Sequence, residues 1–277
     1  TGASLRWLDL TEDGRIDPGT AAVVTDRTRV LALTHASNVT GAITPLADIL
    51  PAARAAGALV VLDTCQSAAH LPLDFADLSA AGVDAMVLSS HKMLGPTGVG
   101  ALVATEELLD AMPAVLTGGS MIEVVTMESS TYMPAPARFE AGSQPLAQAA
   151  GWRASVGYLA RLGMDRLHAG EQVLTRRVLD GLAAIEGVRL LGPADTTQRL
   201  GVVAFTIDGV HPHDVGQVLD AAGVAVRTGH HCAQPIHAHF GTASSSRVSF
   251  GPTSTSAEAD RFLEAVASVR SYFRRRA

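Results

Sequence analysis

Aromatic residues make up only 4% of this sequence, and cysteine occurs twice. So few rings leave Ala, Val and Leu to fill the interior, within a hydrophobic share of 47%. That interior suits helices layered on a buried sheet. Cys65 and Cys232 stand far apart in unlike contexts. Two cysteines in a chain of 277 residues make no disulfide framework, and a reducing cytoplasm is the expected setting. No apolar run approaches bilayer-spanning length and no signal-peptide pattern opens the chain, so no membrane partner is expected. The net charge of −6 is spread over both signs along the chain, which makes no electrostatic case for nucleic acid or an anionic membrane. The one basic cluster, Arg274-Arg275-Arg276, reads as a solvated helix end, where positive charge suits the helix dipole.

A chain of this length buries one large core or two modest ones. Short β-rich runs alternate with amphipathic stretches. Strands are expected at 29–34, 59–63, 85–89 and 100–104, with helices over 45–56 and 106–112. Near-continuous apolar strands separated by helices indicate a mostly parallel sheet covered on both faces. The segment 118–144, with Gly118-Gly119, Pro134, Pro136 and Gly142, breaks the rhythm and reads as a long functional or interfacial loop. Two long helices follow, over 146–162 and 164–185. Strands at 188–191, 202–207, 224–226 and 247–250 and helices at 212–222 and 256–273 complete an α+β half. The domain boundary is placed near residue 150, giving domains 1–150 and 151–277.

In open α/β sheets, functional groups gather at the carboxyl ends of strands. Three expected strand ends carry His35, Ser37 and Asn38; Asp63 with Gln66; and Ser89-Ser90-His91-Lys92. An acid closing a strand is often a helix cap or turn former, and a lysine after a strand is usually a surface residue. Together, though, these groups would converge on one edge of one sheet. A lysine facing a carboxylate there is what pyridoxal 5′-phosphate (PLP) chemistry requires. The amine must lose its proton to form a Schiff base. The carboxylate keeps the pyridine nitrogen protonated, so that the ring accepts electrons from a carbanion. Ser and His beside the lysine can donate to the phosphate.

The block Ser89-Ser90-His91-Lys92-Met93-Leu94-Gly95-Pro96-Thr97-Gly98 resembles the lysine motif of class V aminotransferase-fold enzymes, most of all the SufS-type cysteine desulfurases. The likeness extends through Ser37-Asn38-Val39-Thr40-Gly41, Asp63-x-x-Gln66, Gly118-Gly119-Ser120-Met121-Ile122 and Arg138-Phe139-Glu140-Ala141-Gly142. It continues in Asp208-Gly209-Val210-His211-Pro212-His213-Asp214 and Arg227-Thr228-Gly229-His230-His231-Cys232-Ala233. It implies an α/β protein of PLP-dependent transferase fold type I: a large domain and a smaller α+β domain carrying the cysteine loop. It also implies an upstream segment, since Thr1-Gly2-Ala3-Ser4 lacks an initiator Met. In relatives that segment supplies a phosphate-binding Gly/Thr loop and a histidine stacked on the pyridine.

Carried over by position, the resemblance makes Lys92 the Schiff-base lysine and Asp63 the partner of the pyridine nitrogen. Gln66 falls to the phenolic oxygen, Ser89 and His91 to the phosphate. Asn38 lies near cofactor and substrate, Arg247 clamps the substrate carboxylate, and Arg227 shapes the substrate site. Ser143 stands where many relatives carry a threonine that reaches the neighbouring subunit's phosphate, which implies a homodimer. Cys232 is the expected nucleophile, its thiolate favoured by nearby imidazolium. Cys65 reads as packing. A zinc site from Cys232 with His230, His231, His237 and His239 is not expected, because no second cysteine joins them.

The implied activity converts L-cysteine to L-alanine, leaving a persulfide on Cys232. That sulfur passes to a SufE-like or SufU-like acceptor protein, in support of iron-sulfur cluster assembly. A selenocysteine lyase would use nearly the same residues. Gly251-Pro252-Thr253-Ser254-Thr255 departs from the tyrosines and Asn-Thr pair of relatives, and with the implied upstream segment it motivates another reading, a non-catalytic relative that dimerises or binds a partner.

Overall fold

The structure, a computed structural model, describes residues 1–274. Arg275 and Arg276 of the basic cluster lie outside the described residues. The first half opens with β1 (Val30–Thr34), α1 (Leu46–Ala56), β2 (Leu59–Asp63), α2 (Phe75–Ala81), β3 (Ala85–Ser89) and β4 (Gly100–Ala104). These strands form one sheet in the order β1-β2-β3-β4. β1, β2 and β3 run parallel, while β4 returns antiparallel to β3. Leu31, Leu33, Val60 and Leu62 project from the strands onto Ile49, Leu50 and Ala53 of α1. Each fully buried side chain of this size contributes about 1.5–3 kcal/mol relative to exposure.

Among the described residues, helices cover one face of this sheet. β1 and β2 alternate exposed and buried residues, and Val30, Ala32, Thr34, Leu59 and Asp63 stand exposed. Both α1 and α2 pack into the same core, so they serve a single face. An apolar strand sequence reports hydrophobicity but not which neighbour covers it.

The middle of the chain holds α3 (Glu106–Ala111), then β5 (Ile122–Val125) and β6 (Ser130–Tyr132). These two strands pair as an antiparallel hairpin, so the segment expected as a loop contains regular structure. β-branched residues dominate its strands, and Thr126 N–H closes the turn on Ser129 O at 2.8 Å. α4 (Leu146–Leu162) and α5 (Met164–Ala183) follow end to end.

The second half contains β7 (Val188–Leu191), β8 (Val202–Ile207), α6 (Pro212–Ala221), β9 (Arg227–Gly229), α7 (Gln234–His239), β10 (Ser245–Ser249) and α8 (Ser256–Arg274). Its sheet runs β7-β8-β10-β9, antiparallel throughout. α5, α6 and α8 cover it through Val178, Leu182, Leu219, Phe262, Val266 and Val269, with Phe205 and Phe262 edge to face at 5.7 Å. Two strand expectations shift here. The run at 224–226 is not a strand; pairing begins at Arg227, opposite Arg247. β10 starts earlier than expected because Ser245 and Ser246, polar in sequence, are wholly buried with bonded hydroxyls.

The two sheets meet at the turn after β1. Gly41 takes φ +73°, and a Cβ there would stand 2.7 Å from Val202 O. Glycine therefore lets the turn lie against β8, where Leu200 N–H bonds Gly41 O at 2.9 Å.

Candidate active site

Three parallel strands deliver three polar turns to one edge. β2 ends at Asp63, whose exposed carboxylate accepts from Cys65 N–H through Oδ1 at 2.9 Å. The turn that follows is pinned to β3, since Thr64 donates from N and Oγ1 to Val87 O at 3.1 and 2.7 Å. Gln66 is half-buried on the same turn. β3 ends at Ser89 and passes directly into a short 3-10 turn, Ser90–Met93, that carries His91 and Lys92, both exposed. Gly95 N–H closes that turn on Ser90 O at 3.0 Å, and a Cβ on Gly95 would collide with Ser90 Oγ. Ser89 Oγ and His91 Nδ1 lie 3.2 Å apart.

Lys92 is the only lysine in the sequence. In a chain that otherwise uses arginine for positive charge, this retained amine was a compositional signal that the motif reading alone did not use.

Cys65 sits inside this edge. Its thiol is pushed up to about 11, first by burial and then by Asp63, while Lys92 pulls the other way. It is half-buried, as a packing residue would be, and it stays protonated at neutral pH.

The second sheet contributes the cysteine loop between β9 and α7. His231 and Cys232 adopt φ of +54° and +61°, the left-handed region that non-glycine residues rarely occupy. Cys232 is exposed, and Arg227 Nη2 lies 3.1 Å from its sulfur. Asn38 Nδ2 donates to His231 O at 2.5 Å, and Arg247 Nη1 donates to Asn38 O at 2.9 Å. Asn38, Arg227, Arg247 and Cys232 are thus one contiguous cluster. Ser143 is exposed just after Gly142, and no hydrogen bond joins it to this cluster among the described residues.

His231 does not supply the expected imidazolium. It is buried, and its ring is pushed down to about 4, first by burial and then by Arg247, His237 and Arg227, so it is neutral at pH 7. The Arg227 guanidinium brings a permanent positive charge to the sulfur. His239 turns away and bonds Thr11 O at 3.0 Å. His231, His237 and Ser245 instead form a buried set behind the thiol. Motif reading weighed the histidines as metal ligands and as a source of imidazolium, and passed over Ser245, whose burial no local pattern announces. A cavity of about 500 Å³, lined by His35, His168 and Arg199 among others, is a separate feature that neither Lys92 nor Cys232 lines.

The aminotransferase class-V family model matches residues 1–262. "Probable cysteine desulfurase 2" of Mycobacterium leprae is 48% identical over 274 residues, covering 99% of this chain and 65% of the relative. Among solved structures, the cysteine desulfurase from Thermococcus onnurineus NA1 superposes with a TM-score of 0.90 at 32% identity, over 96% of this chain and 66% of that one. The cysteine desulfurase CsdA (S-sulfonic acid) from Escherichia coli gives 0.89 at 33%, over 96% and 65%. The chain therefore spans about two thirds of the length of the proteins it matches. Its architecture is that of PLP-dependent transferase fold type I, α/β with a mostly parallel sheet. On the family match and this shared architecture, the chain belongs to the aminotransferase class-V family of PLP-dependent enzymes.

Proposed function

We propose that the protein is a cysteine desulfurase that converts L-cysteine to L-alanine and retains the sulfur as a persulfide on Cys232. The observation that carries this reading is the exposed Cys232 thiol beside Arg227 Nη2, on a loop bonded through Asn38 to the strand edge that bears Lys92. The donor set at that edge fits PLP. It offers one amine, one carboxylate at a strand end, and a serine–histidine pair 3.2 Å apart suited to a phosphate. When bound, the cofactor supplies an electron sink conjugated to the substrate's α-carbon.

The residues then divide the work. Lys92 would hold the cofactor through Nζ and would carry the α-proton. Asp63 would keep a proton on the pyridine nitrogen, and Gln66 would meet the phenolic oxygen. Ser89 and His91 would hold the phosphate. Arg247 binds the substrate carboxylate beside Asn38, with Arg227 completing the cationic wall. The Cys232 thiolate attacks the substrate sulfur. The S–S bond forms, the Cβ–S bond breaks with its electron pair left on carbon, and a proton completes the methyl group of alanine.

The same reading assigns the wider context. Residues 1–150 form the cofactor domain and 151–277 the smaller domain, supported by their separate cores. The hairpin of β5 and β6 exposes Val124, Val125 and Met127. That exposed apolar hairpin belongs to a homodimer interface, to which the 118–144 segment also brings Ser143. A SufE-like or SufU-like protein takes the sulfur from Cys232 in the cytoplasm, for iron-sulfur cluster assembly. No helix among the described residues is long and apolar enough to cross a membrane.

The test is incubation of the full-length protein with PLP and L-cysteine. Mass spectrometry should find one extra sulfur on Cys232, with alanine formed in equal amount. Sulfide release with pyruvate and ammonia, and an unmodified Cys232, would replace this reading with an elimination.

A further inference from the structure

Behind Cys232 lies a buried polar chain that the proposed chemistry leaves unused. His231 in the loop and His237 on α7 are each 1% exposed, and Ser245 of β10 is fully buried. Ser245 Oγ lies 3.0 Å from His237 Nε2 and 2.9 Å from His231 Nε2. At the far end, His237 Nδ1 lies 3.1 Å from Ala233 O.

Neutral rings allow one arrangement of hydrogens. A carbonyl oxygen only accepts, so His237 Nδ1 carries a hydrogen and donates to Ala233. His237 Nε2 is then a lone pair that takes the Ser245 hydroxyl hydrogen. The serine oxygen accepts in turn from His231, whose hydrogen sits on Nε2. His231 Nδ1 is left as a bare lone pair, and it is a buried nitrogen without a hydrogen-bond partner. Neither ring hydrogen-bonds to a carboxylate among the described residues. Burial first, then Arg247, His237 and Arg227, disfavour charge on His231, and a bare Nδ1 is the form that its unpartnered nitrogen fits.

This chain ends at a strained turn. Two successive non-glycine residues with positive φ persist only where their surroundings over-determine them. His231 is held on both sides, its carbonyl by Asn38 and its ring by Ser245. The titratable and charged groups around the thiol are Arg227 on β9, Arg247 on β10, His230 and His231 in the loop, and His237 on α7.

We infer that His237 and Ser245 are positioning residues: through His231 they lock the left-handed turn that sets the Cys232 thiol against Arg227. The purpose of that placement rests on the desulfurase reading; the geometry does not.

Ser245→Ala and His237→Phe break the chain at different points while nearly preserving volume. Ring nitrogen NMR of histidine-labelled full-length protein reports the position of the His231 hydrogen. Peptide mass spectrometry reports the rate of iodoacetamide alkylation of Cys232 at pH 8. The unsubstituted protein should hold the His231 hydrogen on Nε2 alone. Both variants should show mixed tautomers and a rate lower by about threefold or more, because the thiol no longer sits against the Arg227 guanidinium. A His231 hydrogen on Nδ1 in the unsubstituted protein overturns the inference without any variant. So do alkylation profiles that superimpose on the unsubstituted protein in both variants. Neither readout needs PLP or L-cysteine. A protein that passes both yet forms no persulfide would sink the desulfurase reading and leave this one standing.

Discussion

Arg247 Nη1 donates to Asn38 O at 2.9 Å, joining the antiparallel sheet to the turn after β1 in the parallel one. Asn38 returns the link through its own side chain to His231 O. One arginine therefore both latches the cysteine loop to the cofactor edge and presents a guanidinium, whose buried Nε has no partner.

Arg247→Ala and Arg247→Lys should each raise KM for L-cysteine by about 10- to 100-fold, the scale of one charge-assisted hydrogen bond. Lysine fails because a single ammonium cannot both reach Asn38 and fork onto a carboxylate. Steady-state rates decide this. A fall in kcat at unchanged KM would remove Arg247 from substrate binding.

The proposed function makes Lys92 the cofactor lysine, so PLP followed by borohydride should leave a pyridoxyl group on Lys92 in the full-length protein. Lys92→Ala should abolish the label in residues 1–277, which contain no other lysine. Peptide mapping checks both, and a Lys92→Ala protein that still bound PLP covalently within these residues would refute the assignment.

The two cysteines should separate cleanly. Cys65 is pushed up to about 11, so about one thiol in a thousand is ionised at pH 8, and alkylation there should mark Cys232 first. Cys232→Ala should retain the Lys92 label yet lose the persulfide. Cys65→Ala should retain both. Sulfur found on Cys65 would reverse these roles.

Acid should weaken the fold through His231. Its ring titrates near 6.5 when unfolded but is pushed down to about 4 in the fold. The unfolded chain therefore binds the proton first. The contribution of a neutral His231 is fully present above pH 6.5 and is lost as pH falls towards 4, by up to about 3 kcal/mol. Urea midpoints at pH 7 and pH 4.5 should show the loss, and His231→Gln should make it smaller. An unchanged pH slope in that variant would assign acid sensitivity elsewhere.

The hairpin face can be tested by charge. Val125 is 65% exposed and Met127 96%. Val125→Glu combined with Met127→Glu should shift the full-length protein from dimer to monomer in light scattering, because burying two unpaired carboxylates is costly. A dimer unaffected by both substitutions would place the interface on another surface.

Most of the local architecture was legible from residue order alone. The strands 59–63, 85–89 and 100–104 and the helix 146–162 lie where apolar runs and periodicity put them, because those patterns record local hydrophobicity and backbone preference. The lysine turn was legible for a different reason: its glycine, serine and histidine spacing is a local steric solution that leaves its mark in consecutive letters.

Other features depended on distant chain segments. β9 begins at Arg227 rather than in the preceding apolar run because the ladder register is set by β10, 18 residues later and itself disguised by buried serines. Sequence placed histidines beside Cys232 and suggested an imidazolium, but charge depends on solvation. Only the packed structure, by burying His231 and bringing Arg227 to 3.1 Å from the sulfur, withdrew charge from that ring and set a guanidinium at the thiol. The sequence by itself determined which chemical groups are available and on which turns they sit. Tertiary structure decided which of them are dry, charged and within bonding reach, since desolvation and contact across chain-distant segments are not properties of neighbouring letters.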